Sequence, residues 1–158
     1  MYHRRSFIQF VAGCGLVGMT RLIAAVRGDE AMYVGGTMNA VPEKTEGHLS
    51  TSNETFAEFV AKKGKFTIPY KGITSLEYGQ KAGRRLGVAL AVSPIALFSK
   101  KRRHYLTVAF ADEKGEKQGA VFEIAKGKVR SVAGILEARS GKKIDFESEE
   151  ARKHFEGK

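Results

Sequence analysis

The strongest constraint on the fold is a pair of alternating segments in the second half of the chain. From Tyr105 to Ala111, large apolar residues occupy every second position, and the alternation returns from Gly119 to Ala125. Residues 112–117 between them are polar and include a glycine. Alternation at period two on both sides of a short polar turn predicts an antiparallel β-hairpin.

The hydrophobic period changes directly after this hairpin. Between Lys128 and Ser140, apolar residues recur at spacings of three and four, which predicts an amphipathic helix. Gly141 is placed to end it. The chain beyond, residues 147–158, is a charged tail that we expect to fray. The helix positions that carry the apolar period are Val129, Val132, Ala133 and Leu136.

Four shorter strand candidates precede the hairpin, at Met32–Thr37, Thr55–Val60, Lys65–Tyr70 and Ile73–Tyr78, and residues 48–52 alternate weakly. Pro69 has no amide hydrogen to donate, so its strand should lie at an edge or end there. Several short antiparallel strands followed by one helix indicate a mostly β (α+β) domain over residues 32–146. The strand candidates do not alternate with long helices, so the sequence does not indicate a parallel nucleotide-binding sheet.

The order of these segments is itself informative. They are Gly47-x-Leu49, Phe56-Ala57-Glu58-Phe59, Ile68-Pro69-Tyr70 followed by Ile73, the hairpin Tyr105–Ile124 and the helix Lys128–Ser140. This layout resembles the pleckstrin-homology-like (PH-like) superfold, including its bacterial and GRAM-type members, over residues 33–146. The resemblance implies an antiparallel barrel of two nearly orthogonal sheets, capped by one C-terminal helix.

One departure from that superfold concerns its ligand. Phosphoinositide-binding members carry paired basic residues in and after the first hairpin, whereas this chain has Glu43, Glu46 and Glu54 beside Lys44. A phosphoinositide site is therefore not carried over. The local sequences YVGGT, EYGQKAGRR, SKKRRHYLT and EARSGKK also resemble a group of small exported bacterial proteins, which implies export.

Residues 1–31 have the layout of an export signal. Arg4 and Arg5, followed by one spacer and two large apolar residues, resemble the twin-arginine signal. Residues 11–14 match a lipoprotein box in which Cys14 would be lipidated, although the apolar stretch ahead of it is short. Export predicts a periplasmic or membrane-associated protein, with this segment cleaved or kept as an N-terminal anchor. The alternative is that the start codon is assigned too early and the protein begins near Met32. In that case we expect a cytoplasmic protein.

Between the two halves of the chain lies an apolar run of 13 residues, Leu86–Phe98, with basic residues on both sides. It is shorter than the roughly 20 residues that a spanning helix needs, and Ser93-Pro94 interrupts it. One interpretation buries the run as strands in the barrel core, because contiguous exposed apolar patches are rare on soluble proteins. The other places an apolar tip in a bilayer interface, where each flanking cation contributes about 1 kcal/mol on an anionic surface. The apolar patch is Val92, Ile95, Leu97 and Phe98, and the basic cluster is Arg84, Arg85, Lys100, Lys101, Arg102 and Arg103.

The sequence shows no catalytic constellation. His48, His104 and His154 are far apart and lack metal-ligand spacing, and Cys14 is the only cysteine. We therefore expect no enzymatic activity, no cofactor and no metal. The net charge of +10 favours anionic partners, but the chain has no tryptophan, and export would remove nucleic acid as a partner.

Two functions follow from these patterns. The main hypothesis is a non-catalytic interaction module of the bacterial cell envelope, which binds a membrane surface, a peptide or an envelope protein through the basic cluster and the apolar patch. The alternative is a small-ligand-binding or hydrolytic domain whose site the sequence does not display.

Overall fold

The computed structural model describes residues 29–80 and 103–157. The described residues form eight strands, two α-helices and a short 3-10 turn. In chain order, these elements are β1 (Asp29–Gly36), β2 (Thr45–Ser50), β3 (Phe56–Ala61), β4 (Gly64–Pro69), the 3-10 turn (Tyr70–Gly72), β5 (Ile73–Gly79), β6 (Tyr105–Ala111), β7 (Lys117–Ile124), α1 (Lys126–Ser140), β8 (Ile144–Phe146) and α2 (Glu149–Glu156).

These strands form one sheet in the order β4-β3-β2-β1-β7-β6-β5-β8. Neighbouring strands are antiparallel, except that β8 runs parallel to β5. β1 joins the two halves of the sheet, and its register with β7 shifts between Tyr33 and Gly35. A β-bulge of this kind bends its strand. Gly36 follows at a φ of 150°, where a side chain would overlap the carbonyl oxygen of Gly119.

An aromatic cluster shows that the sheet curls around its core. It contains Tyr33, Phe59, Phe66 and Phe122, whose ring centroids lie 5.3 to 6.1 Å apart. Phe66 of β4 and Phe122 of β7 come from strands that are separated by three others, so their contact requires a strongly bent sheet. We call the face that carries this cluster the inner face and the opposite one the outer face.

The helix α1 covers part of the inner face. Its apolar residues at the predicted spacing are all buried in the same core, and the helix lies against β5 and the 3-10 turn. Gly141 ends it in the left-handed conformation with a φ of 70°. Left-handed backbone is the usual helix stop and favours glycine. The buried α1 residues are Val129, Val132, Ala133 and Leu136.

The mostly β, α+β architecture is confirmed, and so are the hairpin, now β6 and β7, and the helix that follows it. Pro69 ends β4, which lies at an edge of the sheet as its missing amide hydrogen predicts. The start of the domain differs from the prediction. β1 begins at Asp29, and Ala31 is buried in the core, so the last residues of the segment assigned to export belong to the domain.

The charged tail also differs from the prediction, because it folds into α2 instead of fraying. The Ser148 hydroxyl caps this helix by accepting a 3.1 Å hydrogen bond from the Ala151 amide, and Ala151 is buried. Phe155 packs its ring 5.0 Å from Tyr78 and 5.4 Å from Phe146, centroid to centroid. The tail therefore adds a second helix after the predicted one, anchored by two apolar residues at a spacing of four.

Candidate functional site

The boundaries of both undescribed segments lie at one end of the sheet. A single cross-strand row passes through Gly79 of β5, Tyr105 of β6, Glu123 of β7 and Met32 of β1. The chain leaves β5 just beyond Gly79, re-enters just before Tyr105, and enters β1 at Asp29. With neighbouring strands about 4.8 Å apart, β5 and β1 are about 14 Å apart at this end. We call it the boundary end.

Side-chain contacts hold the point where the chain leaves β5. The Gln80 amide donates a 3.0 Å hydrogen bond to Oε2 of Glu147, and the Glu147 amide donates to the carbonyl oxygen of Tyr78 at 3.0 Å. Glu147 follows β8 directly, so the short parallel strand places this carboxylate. The last described residue before segment 81–102 is therefore fixed by contacts from a distant part of the chain.

The point of re-entry is held by an aromatic pair and an ion pair. The Tyr78 hydroxyl shares a hydrogen bond with Nδ1 of His104, and the two rings stack with centroids 5.9 Å apart. Burial raises the pKa of Tyr78 above its ordinary value of 10.0, so the phenol stays protonated at neutral pH. The Ile124 amide donates to the His104 carbonyl oxygen at 2.9 Å, which adds β7 to the same anchor.

Arg103 is the member of the predicted basic cluster that the structure describes. Its Nη1 donates to both carboxylate oxygens of Glu123, at 2.7 and 2.6 Å. The hydrogen bond to Glu123, and then the charge of that carboxylate, raise the pKa of Arg103 above its ordinary value. Arg103 therefore binds a carboxylate of its own domain. A partner could bind the Arg103 guanidinium only alongside Glu123 or in its place.

The other predicted site residues lie outside the described residues. The structure thus places the two ends of the basic and apolar segment but not its middle. The residues concerned are Arg84, Arg85, Lys100, Lys101 and Arg102 of the basic cluster, Val92, Ile95, Leu97 and Phe98 of the apolar patch, Arg4 and Arg5 of the export signal, and Cys14.

Sequence reasoning missed an open groove on the outer face of β1, β2 and β3, with a volume of about 1110 Å³. Glu30 lies directly opposite His48, and Met32 lies opposite Glu46, in the register of β1 with β2. Val60 of β3 lines the groove and is 40% exposed. His48 is isolated along the sequence, because its neighbour across the sheet is 18 positions away. Only the strand register brings the two together.

Neither a metal cluster nor a membrane-spanning helix is found among residues 29–80 and 103–157. No group of three His, Cys, Asp or Glu side chains there is placed to hold a metal ion. No described helix is long and apolar enough to cross a bilayer. In comparisons with known proteins, no family model matches the chain and no curated protein matches it as a relative.

Proposed function

We propose that residues 29–146 form a PH-like domain. The support is topological: seven strands follow the order β4-β3-β2-β1-β7-β6-β5, and α1 comes directly after β7. The aromatic contacts across the sheet agree with a barrel-like curl. A fold of this kind hosts many functions, so the function has to be argued from the site.

The function that we propose is a non-catalytic interaction module of the bacterial cell envelope, exported, which binds an anionic membrane surface. The observation that carries this proposal is the boundary end. Segment 81–102 and the N-terminal segment both attach there, on strands about 14 Å apart. An N-terminus directed to or kept at a membrane would therefore bring the basic cluster to the same membrane surface.

The energetics favour an electrostatic contact of moderate strength. Five cations of the basic cluster lie in segment 81–102, namely Arg84, Arg85, Lys100, Lys101 and Arg102. Each cation near an anionic leaflet contributes about 1 kcal/mol, and the attraction falls off within a Debye length of about 8 Å at physiological salt. Binding should therefore weaken steeply as salt is added.

Vesicle co-sedimentation of the full chain tests this proposal. We expect binding to vesicles that contain anionic phospholipid and much weaker binding to neutral phosphatidylcholine vesicles. The triple variant Lys100→Ser, Lys101→Ser, Arg102→Ser should lose most of the binding, about 100-fold if each cation contributes about 1 kcal/mol. Arg103 is left unchanged in this variant so that its ion pair with Glu123 stays intact.

A matched variant controls for net charge alone. Lys71→Ser, Lys114→Ser, Lys117→Ser removes the same charge from exposed residues at the opposite end of β5, β6 and β7. This control should bind almost as well as the unchanged protein. Equal losses in the two triple variants would mean that bulk charge explains the binding, and absence of binding to anionic vesicles would refute the proposal outright.

The groove on β1, β2 and β3 supports the second candidate, a small-ligand-binding domain. The register of Glu30 with His48 places a carboxylate opposite an imidazole, which suits a small polar ligand. Both residues are exposed and the groove is open, so it lacks the enclosure that small-molecule sites usually have. We therefore place this function second. Saturable binding of a polar metabolite that His48→Ala abolishes would reverse the order.

A further inference from the structure

β6 and β7 are buried on both faces of the sheet, unlike β3 and β4. In β6, the four consecutive residues from Tyr105 to Val108 are all buried, and in β7 the same holds from Gly119 to Phe122. Along β4, buried residues alternate with exposed ones, as expected when one face meets solvent. The outer face is therefore covered over β6 and β7 and open over β3 and β4.

On β6 and β7, the covered patch includes three neighbouring side chains of the outer face. Tyr105, Thr107 and Val121 are exposed by only 4%, 3% and 0%. Thr107 lies opposite Val121 in the register, and side chains of such pairs share a face. None of the three belongs to the inner core, whereas their sequence neighbours in β6 and β7 do. Those neighbours are Leu106, Val108, Ala120 and Phe122.

The described helices do not provide this cover. The buried side chains of α1 and the buried Ala151 of α2 belong to the inner core. α1 lies against β5 and the 3-10 turn, and α2 lies against β5 and β8. Val121, which has no exposed area, is therefore covered on the outer face by something other than α1 and α2.

We propose that the outer face of β6 and β7, at Tyr105, Thr107 and Val121, is the docking site for the chain's own segment 81–102. This segment leaves at Gln80 and returns at Arg103, and Tyr105 lies directly beside both points. Its apolar run of 13 residues, Leu86–Phe98, matches the apolar character of Tyr105 and Val121.

The length of the segment is sufficient for this role. Its 22 residues extend to about 70 Å at roughly 3.3 Å per residue, or about 35 Å out and back. The patch spans one strand spacing of about 4.8 Å and a few residues along each strand.

The N-terminal segment is attached at one point only, on β1. Docking is independent of the proposed membrane binding: it engages the apolar run, and the flanking cations lie outside that run.

Limited trypsin digestion of the full chain in the absence of lipid tests the docking. Arg84, Arg85, Lys100, Lys101 and Arg102 flank the apolar run and report on it as cleavage sites. The variant Val121→Glu places a carboxylate in the covered patch, and we expect cleavage at these sites to accelerate about 10-fold or more, because burying an unpaired charge is costly and cleavage follows the open population.

The matched control is Val60→Glu, the same change on the open part of the outer face, where Val60 is 40% exposed. It should leave the cleavage rate at these sites within about 2-fold, as expected for a surface substitution. Far-ultraviolet circular dichroism and the tyrosine environment should show that both variants keep the fold. Equal cleavage rates in the unchanged protein and the folded Val121→Glu variant would overturn the docking proposal.

Disulfide cross-linking identifies the occupant of the patch. In a Cys14→Ser background, Thr107→Cys is combined in turn with Leu90→Cys, Val92→Cys or Leu97→Cys, and in a second series with Val11→Cys or Ile23→Cys. We expect an intramolecular disulfide with at least one position of the first series. A disulfide only with the second series would assign the patch to the N-terminal segment and overturn the proposal. A disulfide only between two copies, or none in either series, would overturn it as well.

Discussion

Removing the Phe155 side chain tests whether α2 is a packed part of the domain. Its ring lies 5.0 Å from Tyr78 and 5.4 Å from Phe146, centroid to centroid, and it is half-buried. Full burial of a phenylalanine side chain contributes about 1.5–3 kcal/mol, so half-burial contributes about 1 kcal/mol. The two ring contacts add about 1 kcal/mol together. Phe155→Ala should therefore lower the free energy of unfolding by about 2 kcal/mol.

Urea denaturation and a thermal melt measure this loss. For a domain of this size, about 2 kcal/mol corresponds to a fall in Tm of about 8 °C. Hydrogen exchange should show a matching loss of protection in α2 and in β8, while the amides of β3 keep theirs. Lys153→Ala is the control, since it truncates an exposed side chain in the same helix and lies one turn from its end. Equal changes in the two variants would mean that α2 does not pack as the ring contacts indicate.

Three further predictions concern other parts of the fold. Gly36→Ala should lower the Tm sharply because its Cβ would overlap the Gly119 carbonyl oxygen, whereas Gly134→Ala, with open space inside α1, should raise the stability by about 0.5–1 kcal/mol. Arg139→Ala should cost about 1–2 kcal/mol in urea unfolding, and exposed Lys142→Ala almost nothing, because Nη1 of Arg139 donates to the carbonyl oxygens of Thr51 and Asn53 and to the Tyr70 hydroxyl. Burial raises the pKa of Tyr33 and Tyr78 above 10.0, so the stability that each contributes is present below pH 10.0 and is lost as the pH rises through the folded value. In an absorbance titration, Tyr33→Phe and Tyr78→Phe should each remove one late-titrating phenol.

The parts of the fold that the sequence predicts correctly are those with a local period. β6, β7 and α1 each repeat their apolar residues within the element, so no knowledge of the partner is needed. α2 escapes this kind of prediction because it carries only two apolar anchors, Ala151 and Phe155. A local signal is nevertheless present, since Ser148 precedes two acidic residues and the last turn holds Lys153 and His154, the charge order that helix ends favour.

The boundary end is not predictable in the same way. At this end, Met32 of β1 pairs with Glu123 of β7, and Gly79 of β5 pairs with Tyr105 of β6. These pairings depend on which strands become neighbours in the sheet. The ion pair of Arg103 with Glu123 is the exception, because the hairpin register alone brings them close. The basic cluster is visible from charge alone, but its six members are not equivalent. One of them, Arg103, is already engaged by the sheet.

The way in which segment 81–102 is attached explains why an insertion of this length is compatible with the fold. β5 and β6 are adjacent antiparallel strands, so Gly79 and Tyr105 lie side by side whether the connection is short or long. The free-energy cost of closing a loop rises only slowly, by about 0.6 kcal/mol for each doubling of its length. The contacts of Gln80 with Glu147 and of Arg103 with Glu123 fix both ends. The pairing of β5 with β6 is therefore compatible with an insertion of this length.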